Sequence, residues 1–85
     1  MSNTEVEKSL IKFLEDNILG EGVNIHSKSS LTEIGIDSYS IVEILLFIER
    51  KYGFVIPDEH LRSENFKNID AIAQIVVEVS KHTDK

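Results

Sequence analysis

The run Gly35-Ile36-Asp37-Ser38-Tyr39-Ser40-Ile41-Val42-Glu43 holds the best chemical candidate in the chain, a serine with one carboxylate directly before it and another five residues after it. Ser38 stands at the start of a strongly apolar helical pattern. A serine at a helix N-cap offers its oxygen to a free backbone N–H. The same helix end, with unpaired donors and the positive end of the dipole, favours any phosphate attached to that hydroxyl. Taken alone, the Asp-Ser pair reads as an ordinary cap, because capping residue types recur in every protein. The rest of the chain decides between cap and tether.

Other chemistries lack their parts. A serine hydrolase needs a base, an orienting acid and an oxyanion hole, yet no Gly-x-Ser-x-Gly elbow occurs, and His26, His60 and His82 fall in loop, short-helix and tail positions. Neither Asp58-Glu59 nor Glu15-Asp16 begins a calcium loop. Cysteine is absent, which removes disulfides, thiolate metal sites and a cysteine nucleophile, so any thiol chemistry would have to arrive on a cofactor. A non-catalytic chain is expected.

The 85 residues make one small domain, 1–85, with a flexible polar tail expected over about 81–85. Nine Lys and Arg against fifteen Asp and Glu give a net charge of −6, which argues against nucleic acid and anionic membranes and for protein partners with basic surfaces. The segment Met1–Glu7 has no basic stretch followed by an apolar one, and no apolar run reaches membrane-spanning length, so a cytoplasmic chain is expected.

The elements that position Ser38 are helical. Thr4 and Glu7 suggest a capping box, after which Val6, Leu10, Phe13, Leu14 and Ile18 recur at helical spacing until Gly20 and Gly22. From Glu21 to Asp37 runs a long connection. Leu31, Ile34 and Ile36 are its apolar pins, and Ser30 with Glu33 allows one short turn between them. The second helix is expected from Ser38 to about Tyr52, stopped by Gly53. Pro57-Asp58-Glu59-His60-Leu61 permits a brief third helix, and Asn68 caps a last one with apolar positions Ile69, Ile72, Ala73, Val76 and Val79. The fold class is therefore all-α, a four-helix bundle with three longer helices, one short third helix and a long first loop.

The second helix has apolar residues on more than one face. Ile41, Ile44, Leu45, Ile48 and Tyr52 form a core stripe, whereas Tyr39, Val42, Leu46 and Phe47 lie elsewhere, with Glu43 between Tyr39 and Leu46. Between Lys28 and Arg50 there is no Lys or Arg, while Glu33, Asp37, Glu43 and Glu49 are present. An acidic and apolar strip beside the candidate serine suits docking of basic enzymes, with charge acting on encounter and orientation.

The stretch Leu31 to Glu43, with Leu31, Ile34, Gly35, Asp37-Ser38, Val42 and Glu43, followed by Tyr52-Gly53 and Ile56-Pro57, resembles the attachment region of acyl carrier proteins, and the likeness covers nearly the whole chain. The resemblance implies a small acidic four-helix bundle whose Ser38 receives 4′-phosphopantetheine from coenzyme A. It implies that Asp37 helps position metal and coenzyme A in the transferase complex, and that Glu43, Glu49 and Leu46 meet partners. The expected function is to hold acyl groups as thioesters on that arm and carry them between enzymes of fatty acid, polyketide or related lipid biosynthesis. Expected partners are a phosphopantetheinyl transferase and acyl-transferring or acyl-modifying enzymes with basic docking surfaces, met by a monomer. The chain departs from the family in having Tyr39 where leucine usually follows the serine, Phe47 where small residues are common, and Arg50-Lys51, His60, Arg62 and Lys67 in acidic surroundings. These departures favour a specialised member, with Tyr39 a candidate for partner choice. Two alternatives stand beside this reading. One is a peptidyl or aminoacyl carrier, although that group usually shows Gly-Gly-His-Ser and Asp37 occupies the histidine's place; the other is an unmodified acidic adaptor that binds basic proteins through the second helix.

Overall fold

The computed structural model describes residues 2–20 and 25–83. Three α-helices occupy most of them, α1 (Asn3–Leu14), α2 (Ser38–Tyr52) and α3 (Ile69–Thr83), and no strand occurs among the described residues. Val6, Leu10 and Leu14 from α1, Ile44 and Ile48 from α2, and Ile69, Ile72, Ala73, Val76 and Val79 from α3 are buried together. Full burial of each large aliphatic side chain contributes about 1.5–3 kcal/mol, so this shared core is what fixes the helices against one another.

The capping box of α1 lies two residues earlier than expected. Glu5 N–H donates to Ser2 Oγ at 3.2 Å and Ser2 N–H donates to Glu5 Oε1 at 3.1 Å. Ser2 and Glu5 have the same i, i+3 spacing as Thr4 and Glu7, and the earlier pair adds half a turn of helix while leaving Val6 buried. At its far end α1 widens into a π-helical turn, Glu15–Leu19, where Asn17 Nδ2 donates to the Phe13 carbonyl at 3.1 Å. Gly20 ends it at φ +81°. Gly22, the second expected stop, lies outside the described residues.

The long connection is pinned as its apolar residues predict. Leu31 and Ile36 are buried and Ile34 is half-buried, and the turn between them is closed by the Ile34 N–H on the Ser30 carbonyl at 3.2 Å. A clasp then ties this loop to the start of α3. Leu31 N–H donates to the Lys67 carbonyl at 2.9 Å, Asp70 N–H donates to the Ser27 carbonyl at 2.9 Å, and Lys28 Nζ lies 2.8 Å from Asp70 Oδ2. The Lys28 ammonium holds the Asp70 carboxyl below its usual range, and Asp70 in turn raises Lys28. Burial, then the hydrogen bond and charge of Asp70, push Glu7 up.

Gly53 stops α2 as expected, at φ +80° with its N–H on the Glu49 carbonyl at 3.0 Å. The short third helix is instead two 3₁₀ turns, Asp58–His60 and Ser63–Phe66. Pro57 starts the first, but Leu61 leaves helical geometry at φ −85°, ψ 66°, and Asn65 Nδ2 takes the His60 carbonyl at 2.9 Å, an acceptor that a continuing helix would have used. Asn68 caps α3 as predicted, accepting from Ala71 N–H at 2.8 Å. The helix continues through Lys81 and His82 to Thr83, residues assigned above to the tail, and Asp84 and Lys85 lie outside the described residues.

Candidate phosphopantetheine attachment site

The N-cap of α2 is Asp37, not Ser38. Asp37 has extended backbone at φ −106°, ψ −176°, and its Oδ1 accepts from the Ser40 N–H at 2.9 Å. The Ile36 N–H bonded to the Leu31 carbonyl at 2.9 Å sets where the loop ends, and an aspartate placed there reaches the third helical N–H as well as a serine would. The Ser40 backbone N–H, followed by its hydroxyl, holds the Asp37 carboxyl below the usual carboxylate range. Ser38 becomes the first residue of the helix. It is exposed, and among the described residues its hydroxyl has no hydrogen-bond partner, so the oxygen that sequence reasoning assigned to capping is free.

Ser38, Ile41 and Leu45 lie on successive turns of one α2 face, and that face forms one wall of a groove of about 670 Å³. The segment between α2 and α3 contributes Leu61, Arg62 and Phe66 to its lining, and the pinned loop contributes Leu31 and Ile36. Leu61 and Phe66 thus line the groove, whereas Ile56, Ile69 and Ile72 are buried in the core. Sequence reading missed Arg62 as a neighbour of the serine. It counted charge along the local run, while the 3₁₀ segment returns a cation from 24 residues away in sequence to the same groove.

The outer strip of α2 is open. Tyr39 is 72% exposed, Val42 and Leu46 are each 51% exposed, Glu49 is exposed and Glu43 is half-buried. Glu43 and Leu46 line a shallow hollow of about 420 Å³ with Phe13, Asn17 and Arg50. Phe47 turns toward α1, stacking on Phe13 with ring centroids 4.5 Å apart.

Residues 17–76 match the sequence profile of the family described as "Phosphopantetheine attachment site". The chain belongs to this carrier family. Aminoacyl carrier protein 1 of Bradyrhizobium diazoefficiens is 30% identical over 88% of this chain and 86% of its own length. The acyl carrier protein of Rickettsia bellii strain RML369-C is 32% identical over 91% of this chain and 85% of its own. Among solved structures, the fold is similar to that in a complex of Bradyrhizobium japonicum glycine:[carrier protein] ligase with its cognate carrier protein and an analogue of glycyl adenylate. There the TM-score is 0.71 and identity 24%, over 89% of this chain and 96% of that one. The complex of the same ligase with glycylated carrier protein matches at a TM-score of 0.69 and 23% identity, over 86% and 96%.

Carriers of this family bear 4′-phosphopantetheine covalently on a serine. The residues present fit such a group, with an unpartnered serine hydroxyl beside a groove whose walls are largely aliphatic and aromatic. When bound, the group supplies the thiol that a cysteine-free chain lacks.

Proposed function

We propose that this carrier holds its phosphopantetheine arm on Ser38 and presents an acyl group, bound there as a thioester, to separate partner enzymes. The free hydroxyl of Ser38 at the first position of α2 carries this reading. Other serines within the matched residues are placed differently: Ser27 is half-buried in the loop, with its carbonyl on the Asp70 N–H, Ser40 is buried, Ser29 Oγ accepts from the His26 N–H, and Ser30 Oγ accepts from the Glu33 N–H. Ser63 is exposed and lines the same groove, but it lies in a 3₁₀ turn of four residues without a preceding acid. Ser38 alone among these joins an exposed hydroxyl to the N-terminus of a fifteen-residue helix, where an attached anion is favoured.

The reading gives Asp37 the task of meeting the transferase and its coenzyme A, and gives Tyr39, Glu43, Leu46 and Glu49 the task of docking enzymes with basic surfaces. The exposed apolar side chains of Tyr39 and Leu46, with Val42 between them, supply contact area, and the two acids supply orientation. In this division of labour the partners perform the reactions and the small domain holds, positions and releases. An amino acid as cargo is the second reading, favoured by the relative named as an aminoacyl carrier.

Incubation with coenzyme A and a broad-specificity phosphopantetheinyl transferase tests the attachment. Intact-mass spectrometry should show addition of one phosphopantetheine to the wild type and to Ser63→Ala, and none to Ser38→Ala. A wild-type chain left unmodified under conditions that load a control carrier would defeat the proposal in favour of the unmodified adaptor. The species recovered on Ser38 from the native cell then separates fatty or polyketide acyl groups from amino acids.

A further inference from the structure

We infer that Arg62 is the anion contact of the groove, its guanidinium holding the phosphodiester that joins the arm to Ser38. The inference rests on the Ser38 reading above. Arg62, on the segment between α2 and α3, and Ser38, at the start of α2, line the same groove. Two charged residues line that groove, and Asp37 is already engaged with the Ser40 N–H. Arg62 is uncommitted: among the described residues its side chain makes no ion pair or hydrogen bond, even though Asp58, Glu59 and Glu64 lie in the same segment.

Its backbone is nevertheless fixed. The Arg62 N–H donates to the His60 carbonyl and the Arg62 carbonyl accepts from the Asn65 N–H, both at 2.9 Å. The structure thus holds the base of the side chain in place and leaves its charged end unpaired, on a residue that lines the groove together with Ser38. A phosphodiester on Ser38 adds a negative charge next to Asp37 and near Glu33, in a stretch of chain without a cation of its own. A guanidinium offers paired N–H donors matched to phosphate oxygens, so the contact offsets that charge and restrains the root of an otherwise flexible arm.

The chain contains two arginines, Arg50 and Arg62, so the Nε–Hε region of a ¹⁵N-labelled sample has two arginine signals. Arg50 lines the hollow on the outer strip with Phe13 and Leu46 and serves as the internal reference. After transfer of plain phosphopantetheine, with the mass gain on Ser38 verified, the Arg62 signal should move and the Arg50 signal stay. The displacement should shrink as salt is added. The ³¹P resonance of the loaded protein should shift in Arg62→Gln and lie closer to wild type in Arg62→Lys. An unmoved Arg62 signal in verified loaded protein would overturn the contact and leave the Ser38 reading standing. A signal that moves with a succinyl-loaded arm, but with neither the plain nor the acetyl-loaded arm, would overturn it in favour of a carboxylate on the cargo. No mass gain on Ser38 would overturn both.

Discussion

Asp37 closes the first turn of α2 and leaves the Ser38 hydroxyl free, so neighbouring substitutions separate stability from modification. Ser38→Ala should change the urea-unfolding free energy by no more than about 0.5 kcal/mol, since an exposed hydroxyl without a partner is lost. Asp37→Ala removes the cap and should lower the thermal midpoint, followed by circular dichroism, by several degrees. Ser38→Ala should abolish loading, whereas Asp37→Ala should keep the acceptor hydroxyl and load more slowly. A Ser38→Ala variant as unstable as Asp37→Ala would show that the serine shares the cap. Adjacent Asp and Ser are both good capping types, which is why composition alone shifted the cap by one residue. Only the Leu31 carbonyl bond that ends the loop at Ile36 resolves the choice, and that bond depends on a turn that no single residue announces.

At the scale of elements, α2 was the most legible because its signals are strong and agree: a capping pair at one end, helical spacing of Ile41, Ile44, Leu45 and Ile48, and Gly53 at φ +80° at the other. The segment after Pro57 was the least legible. Its proline and acids announce a start, but Leu61 leaves helical geometry and the His60 carbonyl accepts from both the Arg62 N–H and the Asn65 side chain, contacts that belong to the folded geometry rather than to propensity. Phe47, which stands out from the core stripe of α2, finds its place against Phe13 of α1. A double-mutant cycle of Phe13→Leu and Phe47→Leu, read by urea unfolding, should give a coupling of about 0.5–1.5 kcal/mol. Additive losses would mean that each ring packs independently.

For the whole molecule, the pair of Lys28 and Asp70 predicts how stability depends on pH. The folded Asp70 carboxyl titrates below its unfolded value, so its contribution is present above the unfolded carboxylate range and is lost as pH falls through the folded value. Glu7 is raised and acts in the opposite sense: its contribution is complete below the unfolded value and is lost as pH rises through the folded one. Lys28 is also raised, so its contribution persists until pH exceeds its unfolded value of about 10.4. Urea midpoints should therefore fall less steeply below about pH 4 in Asp70→Asn than in the wild type, and less steeply above about pH 10 in Lys28→Met. Identical pH profiles for wild type and both variants would remove the pair from the account of stability.

The clasp around Asp70 also bears on Ser38 from across the molecule. Leu31 and Ile36 belong to the loop it fastens, and Lys67 directly follows the segment that carries Leu61, Arg62 and Phe66, with Asp70 in the first turn of α3 beyond it. The two sides of the groove are thereby joined through the chain's own backbone. The conformational entropy of shaping the groove is lost during folding, so on the proposed reading an arm on Ser38 would surrender its own freedom there without having to organise its host.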